Sequence, residues 1–208
     1  DLDEFSENLK GFNLLGKFDV GWSNNGFTEE EFIIVKDLGF NFVRLPLDYR
    51  TYTQPGNWDV FLDDEIAEID RAVEYGEKYG VHVCINLHRA PGYCVNPSTS
   101  LPASQNVSLW SDASAQKAFV NHWDYFATRY KDIPYNRLSF NLVNEPGVID
   151  ENRYVTVMKP AIDRIRSINP NRIIFVDGPN YARDIMLSLK GEQNIIQAIH
   201  VYDPFKLT

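Results

Sequence analysis

Short runs dominated by apolar residues recur along the chain, and the stretches between them place apolar residues every three or four positions. The runs are GFNLL (11–15), FNFVRLPL (40–47), VHVCINLH (81–88), RLSFNLVN (137–144), RIIFVDG (172–178) and IIQAIHVY (195–202). Most are almost continuously apolar, as strands covered on both faces are. The stretches between read as helices. TEEEFIIVKDLG opens with Thr28 and Glu31 at capping-box spacing and closes on Gly39. The next begins at Asp63 or Asp64, sets Ile66, Ile69 and Val73 on one face, and ends at Gly80. Ala115, Phe119, Trp123, Phe126 and Tyr130 form the aromatic-rich stripe of a third, read as the face that packs on a sheet. A fourth runs from about 150 to 168 and contains Pro160, which predicts a kink near Val157. A shorter helix is expected from Ala182 to Leu189.

Six strands alternating with five helices define an α/β chain with a parallel sheet. Two architectures fit: an open doubly wound sheet, with its ligand in one crevice, or a (β/α)8 TIM barrel, with its ligand at the ring of strand ends. The connection from Arg89 to Leu109, rich in Pro, Ser and Asn, reads as a loop lining a site.

Totals narrow the function classes. The chain has 208 residues, 44% hydrophobic and 13% aromatic, enough to bury a core, and reads as a single domain or most of one. Its formal net charge is −9 and no Lys/Arg cluster occurs, which argues against nucleic acid as a partner and favours a neutral one. No run approaches the roughly 18 apolar residues of a membrane span. The acidic start DLDEFSENLK lacks the basic end and apolar centre of a signal peptide. Cys84 falls in a strand and Cys94 in the loop after it, so the two thiols are expected to point apart rather than to pair.

Polar side chains stand where several separate strands finish. Arg44 follows Phe42-Val43, His88 ends the third run, Asn144 and Glu145 end the fourth, and His200 and Tyr202 end the sixth. A barrel gathers such ends at one mouth, where its catalytic groups are found. Gly11, Gly16 and Gly21 do not make GxGxxG, which counts against a dinucleotide fold. Ordinary explanations exist for single residues: Arg44 as an ion-pair partner in a barrel floor, His88 and His200 as satisfied core histidines, Asn144 as a turn cap. Glu145 is harder to explain this way, because a carboxylate at the end of a buried strand loses hydration and needs a fixed cationic partner. No HxH or HExxH supports a metal site, an arginine among the ligands would repel a cation, and no GxSxG elbow supports a serine nucleophile. No cofactor is expected.

The order Arg44 in NFVRLPL, His88 in INLHRAPGY, Asn144-Glu145-Pro146 in FNLVNEP and His200-x-Tyr202 in IHVYDPF resembles glycoside hydrolase family 5, retaining β-glycanases of the (β/α)8 clan. HRAPGY and HVYDPF look most like the endoglucanases of that family with an insertion after the sixth strand. The resemblance covers nearly the whole chain and implies a TIM barrel of which these residues supply the first six βα units. It implies that Glu145 is the general acid/base, with a pKa raised by partial burial, and that Asn144 donates to the sugar 2-OH. His88, His200 and Tyr202 would line the subsite of the cleaved sugar, with Tyr202 and Arg44 orienting a carboxylate nucleophile. Tyr93, Trp110 and Trp22 are candidate stacking platforms for further sugars.

Members of that family carry the nucleophilic Glu after a seventh strand and an aromatic wall after the eighth, and the sequence stops just past the sixth. Asp177 and Asp203 are poor substitutes, because retaining chemistry needs carboxyl groups ~5 to 5.5 Å apart across the sugar. The expectation is therefore an endo-acting β-1,4-glucanase whose barrel is completed by a C-terminal segment or second chain, these residues alone being inactive. Mannan, mixed-linkage, xyloglucan and β-1,3-linked substrates stay open, as does a catalytically inactive glycan-binding barrel. A polymeric β-linked substrate implies a secreted, extracellular protein.

Overall fold

The computed structural model describes residues 2–96 and 101–202. Six parallel strands lie side by side in chain order: β1 (Gly11–Asn13), β2 (Phe42–Asp48), β3 (His82–Ala90), β4 (Leu138–Asn141), β5 (Ile173–Asp177) and β6 (Ile195–Ala198). Four long helices connect them: α1 (Glu29–Asp37), α2 (Asp63–Tyr79), α3 (Ala113–Arg129) and α4 (Glu151–Ile168). The order is that of a barrel wall, a partial (β/α)8 TIM barrel, and not of a doubly wound sheet, in which the order reverses. A helix at Leu2–Glu7 precedes β1, and an antiparallel pair at 53–61 links β2 to α2.

Local rules place these elements. Thr28 accepts from the Glu31 N–H while the Glu31 carboxylate accepts from the Thr28 N–H, so the expected capping box forms. Gly39 and Gly80, at φ of 81° and 69°, stop α1 and α2 in the left-handed region that glycine tolerates. Side chains alternate across the sheet. Val43, Leu45, Val83, Ile85, Leu87, Phe140, Ile174 and Val176 face the helices and are buried; Trp123 of α3 meets Phe140 at 5.2 Å between ring centroids. The other face turns to the barrel interior, and there Arg44, Cys84, Asn86, Ser139, Asn141 and Asp177 alternate with the apolar set. Cys84 and Cys94 are both free thiols, as expected.

Three expectations change. The run 137–144 is regular strand only over Leu138–Asn141, and 195–202 only over Ile195–Ala198. Asn144, Glu145, His200 and Tyr202 therefore sit on the segments that leave the strands. No helix spans 182–189: a turn at Pro179–Ala182 is followed by a 3-10 turn at Leu187–Leu189. The Gln197 amide explains the loss, since it bonds the Met186 N–H at 2.5 Å and the Met186 carbonyl at 2.7 Å, groups a helix would use internally. The long helix α4 carries Pro160 and remains one element.

Candidate active site

β1, β2, β3 and the segments leaving β4 and β6 line a cleft of about 910 Å³ whose walls include Arg44, His88, Asn144, Glu145, His200 and Tyr202. Six residues proposed from four separate stretches thus meet in one place.

Glu145 is the focus. Its φ of 45° is left-handed, a costly conformation for a side-chain-bearing residue, and both its peptide groups are clamped. Its N–H donates to Asp177 Oδ2 at 2.9 Å, and its carbonyl accepts from the Tyr93 hydroxyl at 2.8 Å. The same hydroxyl accepts from the Gly147 N–H at 2.8 Å, tying the turn after β4 to the loop after β3. Next to it, Asn180, Tyr181 and Ala182 are three consecutive left-handed residues. Asn180 and Tyr181 donate to the Gly147 and Pro146 carbonyls, and Ala182 accepts from the His200 N–H. The acid-bearing turn is therefore braced from three loops.

The Glu145 side chain, 14% exposed, takes two hydrogen bonds on Oε1, with His200 Nδ1 at 2.7 Å and from the Tyr202 hydroxyl at 2.9 Å. These contacts correct the expected direction of its pKa. The His200 hydrogen bond, with help from Tyr202 and from the nearby His200 and His88 rings, outweighs burial and holds the carboxyl below the ordinary glutamate range. Burial, joined by the bond to Glu145, raises the Tyr202 phenol. Burial, with Arg44 close by, pushes His88 down to about 4, so this ring is neutral at pH 7.

Arg44 holds the floor. Its Nε donates to Asn141 Oδ1 at 2.9 Å and its Nη2 to Asn144 Oδ1 at 2.7 Å. The Asn144 carbonyl oxygen is thus engaged by Arg44. Asn141 in turn donates to Asp177 Oδ1 at 2.9 Å and accepts from Asn86 at 2.9 Å. Asn86 and Asn141 were not singled out from the sequence, and Asp177 was weighed there only as a substitute nucleophile and set aside. Their signal was the two-residue spacing of Cys84, Asn86 and His88 and of Ser139 and Asn141, polar positions alternating inside apolar runs.

The aromatic candidates separate. Trp22 is 67% exposed beside Phe18, which stands edge-on to His88 at 4.6 Å, so it is available to a ligand at the rim. Trp110 is packed between Tyr93 and Tyr154, and Tyr93 spends its hydroxyl on the backbone of the acid-bearing turn; neither lines the cleft. Asp203 lies outside the described residues. Among the described residues no group of three or more His, Cys, Asp or Glu side chains is arranged to hold a metal ion.

A wall of parallel strands with a carboxyl, an arginine and two histidines at its carboxyl ends is the layout of a barrel enzyme. The chain matches the family Cellulase (glycosyl hydrolase family 5) over residues 1–208, and it belongs to that family. It is 30% identical over 184 residues to Endoglucanase C of Acetivibrio thermocellus, covering 87% of this chain and 52% of that protein. It is 29% identical to the sporulation-specific glucan 1,3-beta-glucosidase of Saccharomyces cerevisiae, covering 86% of this chain and 42% of that one. Among solved structures, Thermotoga maritima Cel5A in complex with mannotriose matches with a TM-score of 0.78 at 25% identity, over 100% of this chain and 65% of that one. The chain spans about half the length of the curated relatives it matches.

Proposed function

We propose that this chain is the larger part of a retaining endo-β-1,4-glucanase in which Glu145 is the general acid/base. The observation that carries the reading is the clamped Glu145 carboxyl, bonded to His200 and Tyr202 at the mouth of the strand ends. Support comes from the family match and from the endoglucanase relatives. In the first step Glu145 protonates the glycosidic oxygen as a carboxylate attacks the anomeric carbon; in the second it takes the proton of the water that releases the sugar. Asn144, with its oxygen held by Arg44, presents its amide to the 2-OH, a bond that strengthens in the oxocarbenium-like transition state. Tyr202, 47% exposed in the cleft, and Arg44 border the place of the attacking carboxylate.

That carboxylate is proposed to lie outside these residues. Asp177 is bonded to the Glu145 N–H beneath the acid, so no sugar fits between the two. In the described sheet β1 and β6 are the two edges and do not pair with each other. Two further strands, from a continuing segment or a second chain, would close the wall and supply the nucleophile, and residues 1–208 would be inactive without them. Acting on a polymeric substrate, the enzyme would work outside the cell.

The test is Glu145→Gln in the complete enzyme. Hydrolysis of soluble β-1,4-glucan is expected to fall by about 10²- to 10⁴-fold with the melting temperature unchanged. Activity within a few-fold of wild type rejects the role. The mannotriose complex of a solved neighbour and the 1,3-beta-glucosidase relative make mannan and β-1,3-glucan the second reading. A higher kcat/KM on either polymer than on β-1,4-glucan would select it.

A further inference from the structure

The cleft leaves one buried charge without a part in the chemistry. Asp177, at the end of β5, is fully buried and reaches no sugar. Its Oδ1 accepts from Asn141 Nδ2 and its Oδ2 from the Glu145 N–H, each at 2.9 Å. The same Oδ2 lies 3.2 Å from His200 Nε2 and 4.0 Å from Arg44 Nη2. Side chains or backbone from β2, β4 and the segments leaving β4 and β6 thus converge on one carboxylate. His200 stands between two carboxyl groups, with Nδ1 on Glu145 at 2.7 Å and Nε2 toward Asp177.

We propose that Asp177 is a positioning residue for the acid/base: it fixes the left-handed backbone of Glu145 and keeps a proton on His200 Nε2, so that the Glu145–His200 pair holds one further, transferable proton.

Proton counting supports this. Both Asp177 oxygens already accept hydrogen bonds, so the Nε2 that lies 3.2 Å from Oδ2 is the partner placed to carry hydrogen. The short Nδ1 to Oε1 contact then needs one hydrogen more. That hydrogen sits on Nδ1, giving imidazolium and carboxylate, or on Glu145, giving imidazole and carboxylic acid. Both states hold the same number of protons and differ by a shift along one hydrogen bond. In the glycosylation step this proton leaves the pair for the glycosidic oxygen as the C–O bond breaks. The attacking water returns one in the second step.

The groups facing the pair and Asp177 are Arg44 from β2, Cys84 and His88 from β3, Tyr93 from the loop after β3, Tyr154 from α4 and Tyr202. Arg44, 4.0 Å from the same Asp177 oxygen, disfavours the additional proton. The negative charge of Asp177 favours it, so its loss should release the proton at lower pH.

The inference rests on Glu145 being the acid/base, and the experiment separates the two claims. In the complete enzyme, kcat/KM against pH is measured for Asp177→Asn and Glu145→Gln on two aryl β-cellobiosides. One has a dinitrophenolate leaving group that needs no protonation, the other a phenolate that does. Asp177→Asn is expected to move the alkaline limb down by about 1 pH unit. The phenyl substrate should lose ~10- to 100-fold while the dinitrophenyl substrate stays within a few-fold. An unmoved limb with equal losses on both substrates means a merely structural role and overturns the proposal. Glu145→Gln showing no selective loss on the phenyl substrate removes the functional reading, and this one with it. A second measurement needs no variant: in the ¹⁵N NMR spectrum of histidine in the wild-type enzyme, His200 Nε2 should be protonated across the active pH range, and an unprotonated Nε2 overturns the proposal.

Discussion

Glu145 is held by more than its own side chain. The Asp177 and Tyr93 bonds to its two peptide groups fix a backbone position that costs on the order of 1–3 kcal/mol, so the carboxyl has little freedom once the loops are in place. Arg44 does the same for Asn144, and its planar fork reaches Asn141 and Asn144 with two different nitrogens. Arg44→Lys keeps the charge and loses the fork. Losing one charge-assisted bond is worth about 1.5–3 kcal/mol; kcat/KM on β-glucan should fall roughly 10- to 100-fold where that loss disturbs Asn144, and, because the bond is already made in the free protein, the melting temperature should drop by several degrees. Steady-state kinetics at several substrate concentrations will show whether the loss lies in kcat, as disturbed Asn144 geometry requires. Much of this site was legible in the sequence, because Arg44, His88, Asn144, Glu145 and His200 interrupt apolar runs at their ends. Asp177 also ends a run, yet one buried aspartate there has nothing in the sequence to show that it lies under Glu145. Nor do the letters reveal which face of a loop an aromatic occupies. Trp110 and Trp22 look alike in sequence, but one is packed on Tyr154 and the other stands in solvent.

At the scale of elements, the parts that followed local rules were readable and the parts that followed tertiary contacts were not. The α1 capping box is four residues long and forms as its spacing requires. Thr28→Ala removes the side-chain acceptor and should cost about 1 kcal/mol, seen as a lower urea midpoint with an unchanged slope. The stretch 182–189 shows the other case. It contains apolar residues enough for a helix, but Ile185 and Leu187 end up exposed and the backbone is taken by Gln197, a residue of the next strand. A single buried arginine shows how elements are joined. Arg172, just before β5, donates to the carbonyls of Tyr130 and Ile133 beyond α3 and of Leu138 in β4, with its guanidinium 5.2 Å from the Phe140 ring centre. Burial lowers its pKa to about 10, and it stays charged at pH 7. Arg172→Leu would leave three carbonyls without this donor, and a loss of about 3 kcal/mol or more is expected in chemical denaturation.

Over the whole molecule, the barrel wall contains two histidines remote from the cleft, and they set how the fold responds to acid. His122 of α3 is fully buried: its Nε2 donates to the Trp58 carbonyl at 2.6 Å, and its Nδ1 accepts from the Tyr52 hydroxyl at 2.9 Å. His82, at the start of β3, places its Nε2 2.7 Å from the Ser139 hydroxyl and stacks on Phe42. Burial pushes both down to about 4, against an ordinary value of 6.5. Between those two values the unfolded chain binds protons that the folded chain refuses, so unfolding is favoured as the pH falls. The stability these residues contribute is present in full above pH 6.5 and is lost progressively down to about pH 4. The loss is up to about 3 kcal/mol apiece. In the complete protein, the unfolding free energy from urea titrations should therefore drop between pH 6.5 and 4, a range above that in which most exposed carboxylates titrate. His122→Gln keeps a donor and an acceptor in the same space without a titrating group. Its curve should start lower at pH 7 and run flatter toward pH 4, and a curve parallel to wild type would show that His122 is not among the groups that make the fold acid-sensitive.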